Sequence, residues 1–402
     1  MATYKTIVFL GDGMADEPVE SLGGMTPLQY ARTPHMDRIA RSGRCGTLTT
    51  LPEPYPTSSD VANMSVLGCD LATEMTGRGV LEALSQGITL EPDDVVLRLN
   101  LVSHENGVLL DYSAGQLEQA HGEALIAALS MKFGTERIRF HAGLNYRHIL
   151  VLSGAPYTKN VVTDKPDDNH GESFADHMPR GLDDGSAATV EILHQLIIES
   201  PALLEAHPIN RELKQAGRPM ANGVWPYSIG TAGSVRTLQQ RYGVRSAVIS
   251  GVDVINGLGV VLGMDVLRVD GATGYIDTNY EGKADAAITA LSDHDFIYIH
   301  VEGIDEVSHE MSTEKKVNAI EAFDARLVGR VLDAVDEEVA VAVLPDHPVP
   351  VRIGKHTRDP VPVAVRQPGV SPDAVATYDE TTCPRGALGA MQADDFTNLL
   401  LE

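Results

Sequence analysis

Six acidic and imidazole side chains and one serine stand out, because each sits in a loop-like stretch and could share one piece of chemistry. Asp12 lies in Leu10-Gly11-Asp12-Gly13, directly after an apolar run. Asp305 and His309 lie in Gly303-Ile304-Asp305-Glu306-Val307-Ser308-His309, where a spacing of four puts both on one side of a helical turn. Asp346 and His347 are adjacent, and His356 follows in Lys355-His356-Thr357. Hard carboxylate oxygen mixed with borderline imidazole nitrogen suits Mn²⁺ or Zn²⁺ better than Ca²⁺, and Mg²⁺ could also occupy such a site. With one further ligand, such a set can hold two divalent metal ions for in-line displacement at phosphorus. Ser59, in Thr57-Ser58-Ser59-Asp60-Val61-Ala62-Asn63, is the candidate nucleophile. Its hydroxyl is weak at neutral pH, and coordination to a metal is one way to activate it.

Each residue also has a plainer reading. Asp12 could be a helix N-cap, Asp305 with His309 a surface helical pair, and Asp346-His347 a turn before Pro348. Ser59 could cap a helix over 60–67, a role compatible with offering helix N–H groups to a phosphate. Singly these stretches are weak; their repeated placement after apolar runs is what joins them. No organic cofactor is expected, since Gly11-Asp12-Gly13 lacks the third glycine of a dinucleotide fingerprint and no P-loop occurs.

The elements that must position these groups are legible as period and composition. Strand-like runs at 6–10, 247–250, 296–301 and 339–344 alternate with helical patterns, predicting an α/β fold with a mainly parallel sheet. Over 314–335, Val317, Ile320, Phe323, Leu327, Val331 and Val335 recur near a 3.6 period and predict one helix. Asp12, Asp305 and Asp346 each follow a strand by a few residues, where open α/β sheets gather their functional groups. A chain of 402 residues is too long for one compact core. The expected division is a metal-binding core over 1–74 and 237–402, with 75–236 inserted as an α+β domain that covers the substrate. The insert carries strand-like runs at 108–112 and 149–152 and a long Asp-, Pro-, Gly- and His-rich loop at 163–185.

Charge and composition narrow the partners. A formal net charge of −25 opposes binding to nucleic acid, and it obliges any phosphate site to rely on metals or a few placed cations. No apolar run reaches the length of a membrane span, and the N-terminal run is too short for a signal peptide, so no membrane partner is expected. Cys45, Cys69 and Cys383 suit neither a disulfide framework nor a zinc ribbon, which fits a reducing cytoplasm. His294, His300 and the histidines of 163–185 read either as supports behind the metal ligands or as surface residues, the surface being the favoured place, and Trp225 is expected in the core. The residues fix no oligomeric state.

The chain resembles the archaeal-type, cofactor-independent phosphoglycerate mutases of the alkaline phosphatase superfamily, and most closely their bacterial branch that includes proposed homoserine kinases. The stretches that carry the likeness run in order along the chain: 10–18, Thr26-Pro27-Leu28, Ser59-Asp60-Val61-Ala62-Asn63, Thr76-Gly77-Arg78-Gly79, 271–275, 277–280, Asp305 to His309, Pro345-Asp346-His347-Pro348 and 356–360. The resemblance implies an alkaline-phosphatase-like core with one metal held by Asp305, His309 and His356. It implies a second metal held by Asp12, Ser59, Asp346 and His347. Ser59 would become phosphoserine and return the phosphoryl group to a second oxygen of a small phosphorylated substrate, a glycolytic isomerisation. Asn63, Arg78, Arg147, Arg211 and Lys283 are the candidate substrate contacts, with Arg218 as a further possible cation. The chain departs from the family pattern at Asp167, Leu213 and Asn256, where cations are usual, and at Thr57-Ser58, where Pro-Gly is usual. Those departures keep two other readings open: a phosphotransferase or phosphatase acting on another small phosphorylated substrate, homoserine kinase-like, and a non-catalytic ligand-binding descendant.

Overall fold

The structure, a computed structural model, describes residues 4–233 and 235–402. It divides into two compact units, Met1–Met75 with Val235–Glu402, and Thr76–Ser234. The larger unit is built on an eight-stranded sheet of β1 (Thr6–Gly11), β2 (Arg44–Leu48), β3 (Ser246–Ile249), β4 (Asp265–Val266), β5 (Phe296–Val301), β6 (Ala340–Leu344), β7 (Val361–Arg366) and β8 (Gly389–Met391). Their spatial order is β4-β3-β5-β1-β6-β7-β2-β8, and β7 alone runs against the rest. This is the mainly parallel α/β sheet that the alternating runs predict.

β1, β5 and β6 are buried along their whole length. Helices cover both faces of a parallel sheet, so its central strands are apolar runs rather than alternating ones. Register does the rest. Gly11 pairs with Val301 and Leu10 with Leu344, so β5, β1 and β6 end at one level. The first residues beyond these ends therefore emerge side by side, about 4.8 Å apart from strand to strand.

The predicted helix over 314–335 is three consecutive pieces, Thr313–Ala322, a π-helical turn Phe323–Val328, and Gly329–Ala334. The wide turn lies where the buried Asp324 carboxylate accepts the backbone N–H groups of His35 (3.1 Å) and Met36 (2.7 Å), at the start of the Pro34–Ser42 helix. Gly329 lies against the His35 ring, where an added Cβ would come within 2.7 Å of Nε2.

The smaller unit is an antiparallel sheet centred on Val95–Glu105, which pairs with Val108–Asp111, Arg147–Leu152 and Gly223–Thr231, while Ile138–His141 pairs with Arg147–Leu152. The helices Gln119–Phe133 and Ala187–Ala206 pack on its apolar side, and Trp225 is buried on the other. No helix among the described residues is long and apolar enough to cross a membrane.

Asp324→Ala removes the acceptor for two helix-start donors. The substitution is expected to lower stability by about 1–3 kcal/mol, read as a lower urea midpoint at unchanged m-value.

Candidate active site

The site grows from the ends of β5, β1 and β6. Asp12 follows β1 and is fully buried; its backbone N–H donates to Val301 O at 3.0 Å. Asp346 follows β6, also fully buried, and its Oδ1 accepts the Gly13 N–H (3.1 Å) and the His347 N–H (2.9 Å). Beyond β5 the chain turns at once into the Gly303–His309 helix, which carries Asp305 and His309. Ser59 opens the Ser59–Val66 helix as its first residue, with Ser58 at the N-cap position, so Ser59 itself is not the cap.

All seven residues of the expected metal set come together. His347 Nε2 lies 3.2 Å from Ser59 Oγ, 3.4 Å from Asp346 Oδ2 and 3.5 Å from Asp12 Oδ1. Asp305 Oδ2 lies 3.1 Å from His309 Nε2, and Asp305 Oδ1 lies 3.5 Å from His356 Nε2. The rings of His347 and His356 stack with centroids 3.8 Å apart, which joins the two halves of the cluster.

Donor chemistry fits divalent cations. Asp12 Oδ1, Asp305 Oδ1 and Glu302 Oε2 are buried and accept no hydrogen bond among the described residues. His309 Nε2 and His356 Nε2 face one another at 3.0 Å, so two nitrogens aim at one region beside Asp305. Asp305, His347 and His356 present ligand atoms within 4.8 Å of one another, and so do Asp12, Asp346 and His347. Carboxylates crowded this way resist ionisation. Burial pushes Asp346 up to about 7 and Glu302 up to about 8, and burial with the nearby Asp346 charge raises Asp12 well above its usual range. Burial also works against Asp305, but the His309 hydrogen bond and the surrounding imidazoles hold its carboxyl below its ordinary value. His309 is raised to about 9 by its bond to Asp305.

Four side chains have corrected places, three of them beside the cluster. His300, expected at the surface, is fully buried within β5; its Nε2 lies 2.8 Å from Asp12 Oδ2, and Glu302 approaches the same nitrogen at 3.6 Å. A histidine inside an otherwise apolar buried strand was the signal, because such a ring needs a polar partner. His294 is likewise buried, 3.0 Å from Asp265 Oδ2. Lys283, expected to touch substrate, is fully buried with its ammonium donating to His300 O at 3.0 Å, and burial lowers it to about 8. It is a structural cation beneath the cluster. Asn63 is buried as well: its amide donates to Ser59 O and to Asp346 Oδ2, both at 2.8 Å, and it accepts from the Tyr298 hydroxyl at 2.6 Å. It orients the nucleophile's helix and a carboxylate, and has no surface to offer a substrate.

Arg78, Arg147 and Arg211 belong to the smaller unit. Arg78 pairs with Glu82 at 3.1 Å, Arg147 lies over the Tyr146 ring, and Arg211 is exposed on the Pro208–Gln215 helix. Leu213, read as the place of a family arginine, is 4% exposed in that unit's core, so position 213 offers no surface for a substrate cation. Asn256 is also buried, with its amide 3.4 Å from Ser250 O, whereas Asp167 is exposed.

The raised carboxyls set the pH response of the metal-free protein. Asp346 and Glu302 hold protons more tightly folded than unfolded, so their contribution is present at low pH and lost as pH climbs through about 7 and 8. The metal-free protein should therefore lose Tm between pH 5 and pH 9 (roughly the window between ordinary and raised carboxyls). Added Mn²⁺ should raise Tm and flatten that slope, as differential scanning calorimetry with and without a chelator can show.

Comparison with known proteins agrees with this architecture over the whole chain. A family model of the metalloenzyme superfamily matches residues 4–402. The 2,3-bisphosphoglycerate-independent phosphoglycerate mutase of Methanosarcina acetivorans is 45% identical over 402 residues, covering 99% of this chain and 100% of that protein. A probable 2,3-bisphosphoglycerate-independent phosphoglycerate mutase of Geobacter sulfurreducens is 44% identical over 391 residues, covering 96% of each. Among solved structures, the cofactor-independent phosphoglycerate mutase of Thermoplasma acidophilum superposes with a TM-score of 0.73 at 26% identity, covering 99% of each chain. With a sheet whose strand ends gather carboxylates and imidazoles, and relatives this similar from end to end, the chain belongs to the metalloenzyme superfamily and, within it, to the family of the 2,3-bisphosphoglycerate-independent phosphoglycerate mutases.

Proposed function

We propose that this protein is a cytoplasmic, two-metal phosphoglycerate mutase that works through phosphoserine at Ser59. The observation that carries the reading is the convergence of Asp12, Asp305, His309, Asp346, His347 and His356 around one hydroxyl. Full-length relatives with that name support the same substrate. Asp305, His309 and His356 would hold one divalent cation, and Asp12, Ser59, Asp346 and His347 the other. Bound there, such cations supply charge neutralisation for the phosphoryl oxygens and a lower pKa for the serine hydroxyl.

The chain's own groups do the positioning. Ser59 is half-buried at the first position of its helix, so the amides of the helix start face the region where phosphoryl oxygens arrive. Asn63 ties that helix to Asp346 and keeps the serine and the carboxylate in register. Ser59 Oγ attacks phosphorus, the bond to the substrate oxygen breaks, and the retained glycerate then takes the phosphoryl group back on its other hydroxyl oxygen. No second substrate is needed, because the acceptor is the molecule that gave the group. The unit Thr76–Ser234 would bind the rest of the substrate, with Arg78, Arg147 and Arg211 as candidate cations.

³¹P NMR of the Mn²⁺-loaded enzyme with 3-phosphoglycerate tests this directly. Interconversion with 2-phosphoglycerate is expected; free phosphate would mark a phosphatase, and no change at all would refute phosphoglycerate as the substrate. Ser59→Ala should lower kcat by on the order of 10³-fold or more while metal still stabilises the fold.

A further inference from the structure

The proposed metal set leaves out His300, although its ring touches Asp12. Sheet register brings the two together and adds a third residue. Val248 pairs with Tyr298 and Ile249 with Ile299, so Ser250, the first residue beyond β3, comes level with His300 in β5. On the other side Leu10 pairs with His300, and Asp12 stands two residues beyond Leu10. Residues opposite one another in a sheet point to one face, and so do residues two apart along a strand. Ser250, His300 and Asp12 therefore meet in a row across the ends of β3, β5 and β1. Ser250 Oγ lies 3.2 Å from His300 Nδ1, and His300 Nε2 lies 2.8 Å from Asp12 Oδ2. All three residues are buried.

Counting donors decides where the ring carries its hydrogen. A hydroxyl has one hydrogen to donate. Ser250 Oγ accepts the Val252 N–H at 3.1 Å, and its only other hydrogen-bond partner among the described residues is His300 Nδ1. When the hydroxyl donates there, Nε2 carries the ring hydrogen and donates to Asp12, which is ionised as any carboxylate ligand must be. The opposite tautomer would set the Nε2 lone pair against a carboxylate oxygen and strand the Ser250 hydrogen. A ring protonated on both nitrogens would strand it too. Glu302 Oε2 is 3.6 Å from Nε2, too far to be the acceptor.

This bond divides the Asp12 carboxylate. Oδ2 is occupied by the ring, whereas Oδ1 is buried, accepts no hydrogen bond among the described residues and lies 3.5 Å from His347 Nε2. Lys283 steadies the strand from behind, donating to His300 O at 3.0 Å.

We propose that His300, oriented by the Ser250 hydroxyl, is a positioning residue for Asp12: it holds Oδ2 so that the carboxylate turns Oδ1 alone toward a divalent cation. The inference rests on the metal set proposed above and needs nothing from the identity of the substrate. Partners that orient a metal ligand in this way carry about 10–100-fold in metal affinity.

Two measurements test it. In Zn²⁺-loaded protein with ¹⁵N-labelled histidine, long-range ¹H–¹⁵N spectra read the tautomer, the His300 signals being those absent from His300→Gln. A hydrogen on Nε2 with a bare Nδ1 is expected; a hydrogen on Nδ1, alone or together with one on Nε2, overturns the proposal. This spectrum of the parent chain decides even where a variant fails to fold. Calorimetric titration of the metal-free protein with Mn²⁺ reads the positioning. His300→Leu should weaken one of the two sites about 10–100-fold and leave the other unchanged, and His300→Gln, whose amide N–H can reach Asp12, should restore most of the loss. Unchanged affinity in His300→Leu, or an equal loss in both variants, makes the ring a packing residue and rejects the role. A third tight Mn²⁺ that disappears in His300→Leu would make Nε2 a ligand rather than a donor, which rejects it as well. A parent that binds no Mn²⁺ fails the metal set itself, so the two readings fail separately.

Discussion

Like charge forced into one place governs this molecule. Asp12, Asp305 and Asp346 are each nearly or fully buried, and Glu302 is next to them, at the ends of three adjacent strands. Carboxylates taken out of water and set against each other cannot all remain ionised without counter-charge. Imidazoles supply part of the answer: Asp305 raises His309 to about 9, while burial lowers His300 to about 3, so His300 offers Asp12 a hydrogen bond and no charge. Among the described residues, three carboxylate oxygens still accept no hydrogen bond. That residue of unmet negative potential is what a pair of divalent cations would neutralise, and it is why the fold and the chemistry cannot be separated.

Holding such a cluster takes rigid support from several directions. Lys316 is fully buried and donates to Ala15 O (3.1 Å), Asp16 Oδ2 (2.8 Å) and Val349 O (3.0 Å). One ammonium thus ties the loop after β1 to the loop after β6, the two loops that carry Asp12 and Asp346-His347. Lys283 does a similar service below β5 through the His300 carbonyl. On the other side, Tyr298, Asn63 and Asp346 form a chain of hydrogen bonds that reaches Ser59 O. Breaking any one partner would leave the others buried and unpaired, so the network is conserved in geometry by its own energetics.

The same economy of cations explains the contrast between the two lysines and the arginines. On a surface this acidic, exposed arginines such as Arg326 and Arg330 form two-point pairs with Glu281 and Asp285. Exposed pairs of that kind contribute little, on the order of 0–1 kcal/mol. The buried lysines reach backbone carbonyls as well: Lys316 bonds those of Ala15 and Val349 beside its ion pair with Asp16, and Lys283 that of His300, which fixes loops and strand ends.

Strands β1, β3, β5 and β6 are legible in the amino-acid order, because uninterrupted apolar runs between helical periods have few other places to go. So are the acidic and imidazole residues that follow those strands, because ligand types and loop positions are local properties. The π turn at Phe323–Val328 was not legible, since the apolar period continues through it and only contact between Asp324 and a distant helix start selects it. Nor were the places of His300, Lys283 and Asn63, whose side chains look like surface or substrate groups until the strand and helix that carry them are buried. Packing settles those, because burial and partner choice depend on residues some 17 to 288 positions away along the chain. Register made the difference: a sheet aligns strand ends that the chain itself keeps hundreds of residues apart.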